Sequence, residues 1–224
     1  KGRRVRLACR CKVGDTLVAI NGAGLDDALS VGQRLLRQAG KQVLVKVQPA
    51  AGGAAREVIV TPLTGAQDSD LRYHSWEYGR RKLVEKLSGG KIGYVHLRAM
   101  GAEDMDQFTR DYYPVYNREA LIVDVRHNRG GNIDSWILSR LMRKPWFYWQ
   151  PRESQVDWNM QWAFRGPMTT LVDEFTASDG EAYAEGFKRL GLGKVMGKRT
   201  WGGEIWLSSS NVLVDRGVAS AAEM

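Results

Sequence analysis

The chain has 224 residues, of which 43% are hydrophobic and 26% charged, an ordinary balance for a folded protein. That excludes a disordered tail, a fibrous repeat and a collagen, and at ~150 residues per domain it allows one large domain or two small ones. Lysine and arginine outnumber acidic residues 33 to 25, a net charge of +8 that favours acidic partners without dictating a fold.

No stretch approaches the ~18 apolar residues that span a bilayer, and no signal peptide is visible. The chain opens on Lys1 in what reads as mid-domain. Cys9 and Cys11, one residue apart, make no disulfide framework and no zinc site, so a reducing compartment is expected.

Residues 1–63 read as a small β-rich unit. Val13 to Gly22 is a turn, a strand and a second turn, and Asn21-Gly22 suits the positive φ of a tight hairpin. An amphipathic helix from Asp27 to Gln38 follows, closed by Gly40. Lys41–Gln48 alternates Val43, Val45 and Val47 on one face, as a half-buried strand does. Gly52-Gly53 turns it into a second strand, Arg56–Leu63. Residues 64–71 are polar and turn-rich and read as a linker.

The remainder, 72–224, alternates helix and strand. A helix over Arg72–Ser88 carries Tyr73, Trp76, Leu83, Val84 and Leu87 at helical spacing and stops at Gly89-Gly90. The basic run from Arg72 to Lys91 is read as a solvated face rather than a nucleic-acid site. Strand Lys91–Leu97 then precedes a helix at Glu103–Tyr113. Strand Ala120–Val125 precedes a helix at Ile133–Met142, and strand Met168–Glu174 a helix at Asp179–Leu190. Strand Lys194–Gly197 and a hairpin around Asp215-Arg216-Gly217 finish the chain. The alternation predicts an α/β core with short parallel strands.

Sites in such sheets gather at the carboxyl ends of strands. Two loops qualify. Asp124 to Asn132 holds Gly130-Gly131, which lets backbone N–H groups approach a ligand at a helix start, the construction of an oxyanion hole. The same residues also suit a plain strand-to-helix turn. Phe175 to Glu181 places Ser178 at a sharp turn into a helix, where a nucleophile would stand, with Thr176 in place of the first glycine of the nucleophile-elbow pattern. Ser178-x-x-Glu181 reads equally as a capping box. His74, His96 and His127 show no metal-ligand spacing, and His96 alternates within a strand as a structural residue would. Gly193 to Arg199 departs from the P-loop pattern, with Arg199 where a magnesium-holding Ser or Thr would stand.

Gly14-Asp15-x-Leu17-x-x-Ile20-Asn21-Gly22, then a helix and a hairpin, resembles the later two-thirds of a PDZ domain. Further on, four segments occur in order. They are Lys91 to Leu97, Leu121-Ile122-Val123-Asp124-Val125-Arg126-x-Asn128-x-Gly130-Gly131, Thr176-Ala177-Ser178-Asp179-Gly180, and Gly191 to Gly203. Together they resemble the catalytic core of a tricorn-type protease, a relative of the C-terminal processing peptidases. The resemblance implies an α/β fold with a crotonase-like βα core preceded by a partial PDZ-like domain. It implies a serine peptidase that cleaves unfolded polypeptides or oligopeptides. Ser178 would be the nucleophile, and Gly131 and Asp179 the oxyanion donors.

The same resemblance assigns Gly130, Gly202, Gly203 and Trp149 to substrate binding, the glycines at 202 and 203 as a seat for an added substrate strand. Gly203 stands where one branch of the group carries a catalytic lysine, so a Ser-Lys dyad of that type is excluded. The base would be a histidine upstream of the PDZ-like unit, with a glutamate beyond residue 224. His74-Ser75 is a poor substitute by position. Trp149 replaces the acidic residue of enzymes that cleave after basic residues; Asp157 could compensate. Trp146, Trp149, Trp158 and Trp162 read as subunit packing rather than a substrate groove. The family implies no cofactor or metal, a cytoplasmic homo-oligomer, commonly a hexamer, and partner peptidases, without nucleic acid or membrane. The alternatives are a non-catalytic peptide-binding scaffold and a cell-envelope processing peptidase.

Overall fold

The computed structural model describes residues 11–25, 29–207, 212–220 and 222. Two compact units emerge, one up to Trp76 and one from Glu77 onward.

The first unit is a four-stranded antiparallel sheet in the order β2-β1-β3-β4. β1 (Thr16–Ile20) turns at Asn21 (φ 48°) and Gly22 (φ 79°) into β2 (Ala23–Gly24), the left-handed pair a two-residue hairpin demands. β3 (Val43–Gln48) pairs with β1 and with β4 (Arg56–Val60). Its alternation is real: Val43, Val45 and Val47 are buried with Ile20, and the residues between them are not. Asp15 ties the unit's ends. Its carboxylate accepts the Lys12 and Ala50 amides at 3.0 and 3.1 Å and pairs with Arg56 at 3.3 Å. Cys11 is disulfide-bonded, against the expectation of no disulfide.

The expected helix over Asp27–Gln38 is reduced to α1 (Val31–Arg34), and its expected start lies partly outside the described residues. The cause is local. Ser30 and Gln33 form a reciprocal capping box that begins the helix late, and Arg37 adopts φ 59°, which breaks it early. The expected linker is likewise absent as a loop. Residues Gly65–Ser88 form one helix, α2. Thr64 and Gln67 start it: the Thr64 hydroxyl accepts the Gln67 amide at 3.2 Å while Gln67 Oε1 accepts the Thr64 amide at 2.9 Å. That Thr-x-x-Gln box is a helix start that the glycine beside it disguises. No residue of α2 is buried, and Leu83 and Leu87 face solvent despite their helical spacing.

The second unit is built on a parallel sheet of order β10-β9-β6-β5. Its strands are β5 (Ile92–His96), β6 (Ala120–Asp124), β9 (Met168–Val172) and β10 (Gly193–Gly197). The crossovers carry α3 (Ala102–Tyr112), α4 (Asp134–Leu141) and α5 (Asp179–Arg189). Between α4 and β9 lies a short hairpin, β7 (Tyr148–Trp149) with β8 (Asp157–Trp158). Each crossover steps one strand in the same direction, so the right-handed rule puts all three helices on one face. The core follows: Val95, Leu121, Val123 and Val172 meet Phe108, Tyr112, Ile137, Leu141, Tyr183 and Phe187.

On the other face of the sheet, β5 and β6 bury polar groups. Asp124 is fully buried and accepts from Tyr94 Oη at 2.7 Å and from Arg126 Nε at 2.9 Å. His96 Nδ1 lies 2.8 Å from the Asp124 carbonyl, which requires a proton on that nitrogen. His96 is thus structural, as expected. Burial lowers its pKa. Burial pushes the Asp124 carboxyl up, but the bonds from Arg126 and Tyr94 prevail and hold it below the usual range.

Candidate active site

Parallel register brings the two suspect loops together. Val123 pairs with Thr170 and Asp124 with Leu171, so β6 and β9 end side by side and release their loops at the same edge. The first loop is pinned to the end of β5. Gly130 C=O accepts the Met100 amide and Met100 C=O the Asn132 amide, each at 2.8 Å. Those bonds turn the intervening Gly131 N–H away from Met100, because a trans peptide sets C=O and N–H on opposite sides. Gly131 has φ 152°, and a side chain there would meet the Met100 carbonyl oxygen at 2.0 Å. Only glycine fits.

Ser178 stands at the start of α5 with φ 52° and ψ −125°. For a residue with a side chain this is strained, at about 1–3 kcal/mol. The strain turns the serine out of the strand-to-helix path and leaves it half-exposed. Ser178 makes no side-chain cap hydrogen bond. Of the capping box that the sequence allowed, the Glu181 half forms, its Oε2 accepting the Ser178 amide at 3.0 Å, while the serine hydroxyl makes no cap bond. A Cβ placed on Gly130 would lie 2.5 Å from Ser178 Cβ and 3.0 Å from its Oγ. The twin-glycine corner and the serine are thus in direct contact, separated only by a missing side chain.

Buried polar groups lock this contact. Asn128, with no exposure, donates to the Leu97 carbonyl at 2.9 Å and accepts the Gly130 amide at 2.9 Å. Its own C=O accepts the Ala177 amide at 2.9 Å, joining the two loops directly. Gly180 packs flat on it, where a Cβ would come within 2.7 Å of Asn128 Oδ1. Thr176, also buried, donates to the Val125 carbonyl at 2.8 Å. Asp173 accepts the His127 and Phe175 amides at 2.9 and 3.1 Å, and its other oxygen lies 3.3 Å from His127 Nδ1. Asp179 Oδ2 accepts the amides of Ile133 and Asp134 at 2.8 and 3.1 Å. Burial raises the Asp179 pKa in spite of those amides.

Among the described residues, neither the Gly131 amide nor the Asp179 amide donates a hydrogen bond. Both belong to the convergent corner, the second at a helix N-terminus whose dipole favours negative charge.

Gly202 and Gly203 reach the same corner by another route. Glu181 Oε1 accepts the Gly202 amide at 2.6 Å and Oε2 the Gly203 amide at 3.0 Å. Two successive amides aimed at one carboxylate form a backbone nest, and Gly202 has φ 84°. These two donors are engaged within the chain, so a substrate strand laid here would have to use other backbone groups. Burial pushes Glu181 up, yet the Thr200 side chain and these amides outweigh it and lower its pKa. Trp149 sits on β7, exposed, its ring 4.9 Å from Phe147. None of the contacts found for it among the described residues joins it to Ser178. His74 lies on α2 beside Asp70 at 3.4 Å. No described His, Cys, Asp and Glu cluster would hold a metal, and no helix of the described residues is long and apolar enough to cross a membrane.

Asn128, Asp173 and Glu181 are the residues that sequence reasoning undervalued. Asn128 and Glu181 stand inside the recognised motifs, but their long-range partners have no local signature. Asp173 directly follows β9, and its place at the carboxyl end of a strand is the one signal that could have marked it.

Comparison with known proteins agrees with the geometry. The family model described as Peptidase family S41 matches residues 91–218, more than half of the chain. "Tricorn protease homolog 1" of Streptomyces coelicolor is 40% identical over 204 residues, covering 91% of this chain and 19% of that protein. "Tricorn protease" of Thermoplasma volcanium is 33% identical over 211 residues, covering 94% of this chain and 20% of that protein. A crystal structure of the tricorn protease superposes with a TM-score of 0.77 at 32% identity, over 92% of this chain and 20% of that one. The chain spans about one fifth of the length of these relatives. A parallel sheet whose loops bring a strained serine against a twin-glycine corner, within the span that the family model matches, thus places the chain in peptidase family S41.

Proposed function

We propose that this chain carries the nucleophile and oxyanion site of a serine peptidase acting on unfolded polypeptides or oligopeptides. Ser178 Oγ attacks the scissile carbonyl carbon and gives its proton to a base. The carbonyl oxygen becomes an oxyanion held by the Gly131 and Asp179 N–H groups. The amine leaves with that proton, and water hydrolyses the acyl-enzyme. The observation that supports this best is the contact between Gly130 and a strained Ser178 whose hydroxyl makes no cap hydrogen bond, with two undonated amides at the same corner. One oxyanion donor is typically worth ~10²–10³ in rate, so the pair supplies several kcal/mol.

A serine hydroxyl needs a neighbouring base. By the family resemblance that base is a histidine. The resemblance further supports a partial PDZ-like first unit, a crotonase-like second unit, and a cytoplasmic homo-oligomer, hexameric by analogy, working with partner peptidases. The exposed tryptophans 146, 149, 158 and 162 suit subunit packing in such an assembly.

A fluorophosphonate probe applied to the full-length protein tests the reading. Labelling that Ser178→Ala abolishes is expected. Absence of labelling in the wild type would favour the scaffold alternative, in which the fold persists without the chemistry.

A further inference from the structure

The Asp179 side chain does something that the oxyanion role of its backbone does not require. Helix α4 has no cap of its own: its N-cap residue is Ile133, which offers no side-chain acceptor. The first amides of α4 are taken instead by Asp179 Oδ2, 46 and 45 residues further along the chain. Asp179 is at the same time the first residue of α5, and its own amide is undonated among the described residues. One residue therefore grips the start of α4 with its carboxylate and presents its N–H at the start of α5. Gly131 lies two residues before Ile133 and is held on its other side by the bonds of Gly130 and Asn132 to Met100. Asp179 as a residue is 8% exposed, so little water reaches it.

We propose that the Asp179 carboxylate is a positioning group that sets the Gly131 N–H and the Asp179 N–H at a fixed spacing, so that both meet one oxyanion. The inference rests on the serine-peptidase reading. It differs from ordinary helix capping in one respect: a local cap on α4 would restore the helix but not the tie between the two donors.

The test uses the full-length protein and the rate of fluorophosphonate labelling, with kcat and KM on a denatured protein substrate. Asp179→Ala is expected to slow labelling by about 10–10²-fold, the scale of an ångström-sized misplacement of a reacting group, with the loss in kcat and KM within about two-fold. Asp179→Asn keeps an oxygen acceptor for the two amides and should stay within about five-fold of wild type. The double variant Asp179→Ala with Ile133→Thr gives α4 its own cap and a β-branched side chain, which keeps the fold should the single variant lose it. It should still label slowly. Labelling of Asp179→Ala at the wild-type rate, recovery in the double variant, or an Asn variant as slow as the Ala variant would each overturn the positioning role. Labelling that survives Ser178→Ala, or is absent from the wild type, would instead overturn the peptidase reading.

Discussion

Gly180→Ala sets two effects of known size against each other. Gly180 is the second residue of α5, where alanine normally stabilises a helix by about 1 kcal/mol over glycine. Its φ is not in the left-handed region, so backbone strain does not enter. Packing decides the sign. The added Cβ would lie 2.7 Å from Asn128 Oδ1 and 3.0 Å from Asn128 Cβ and Cγ, and Asn128 is fully buried. It cannot swing aside without giving up its bonds to the Leu97 carbonyl and the Gly130 amide, both 2.9 Å. Each buried polar group left unsatisfied costs about 1–3 kcal/mol. The net expectation is a loss of about 2 kcal/mol despite the better helix former. Urea unfolding of this chain, followed by tryptophan fluorescence, measures it. Because Asn128 holds Gly130 against Ser178, labelling of the full-length protein should fall too. A Gly180→Ala chain as stable as the wild type, or more so, would refute the claim that Asn128 is a fixed wedge between the loops.

Gly131→Ala should abolish labelling, since the new Cβ would sit 2.0 Å from the Met100 carbonyl and force the corner apart; wild-type labelling would contradict the assigned geometry. Glu181→Gln removes one oxygen from a group that collects three amides, at an expected cost of about 1–3 kcal/mol at neutral pH in urea unfolding. The folded carboxyl lies below its ordinary 4.5, so its contribution is present above that value and lost as pH falls through the lower folded one. The gap between wild type and variant should therefore narrow on acidification below about pH 4.5, and a gap that widens there would show the sign to be wrong. Arg126→Ala strands the fully buried Asp124 carboxylate and should destabilise by about 3 kcal/mol, with substantial recovery in Arg126→Met combined with Asp124→Asn. Equal stability of the single variant and the wild type would show that the Tyr94 hydroxyl and the amide of residue 126 suffice for Asp124.

Much of the fold was legible in sequence because its causes are local. Period-two valines at 43, 45 and 47, Asn21-Gly22, and alternating helix and strand segments each depend on neighbours a few residues away. Helices α1 and α2 depart from the expected bounds for a local reason too: short capping boxes, Ser30-Gln33 and Thr64-Gln67, overrule the glycines and the apolar spacing around them. In residues 130 and 178 the motifs were visible, but each admitted a bland reading of its own. Tertiary register settled their meeting, since the pairing of β6 with β9 ends both strands at one edge. It also chose between two uses of the same carboxylates. Local sequence made Ser178-x-x-Glu181 a helix cap; in the folded chain Glu181 makes its half of that cap to the Ser178 amide and also takes the Gly202 and Gly203 amides, while Asp179 reaches a helix start 45 residues away. The bonds of Glu181 to Gly202 and Gly203 and of Asp179 to Asp134 form only after distant backbone has been brought into reach, so no short window of sequence contains both partners.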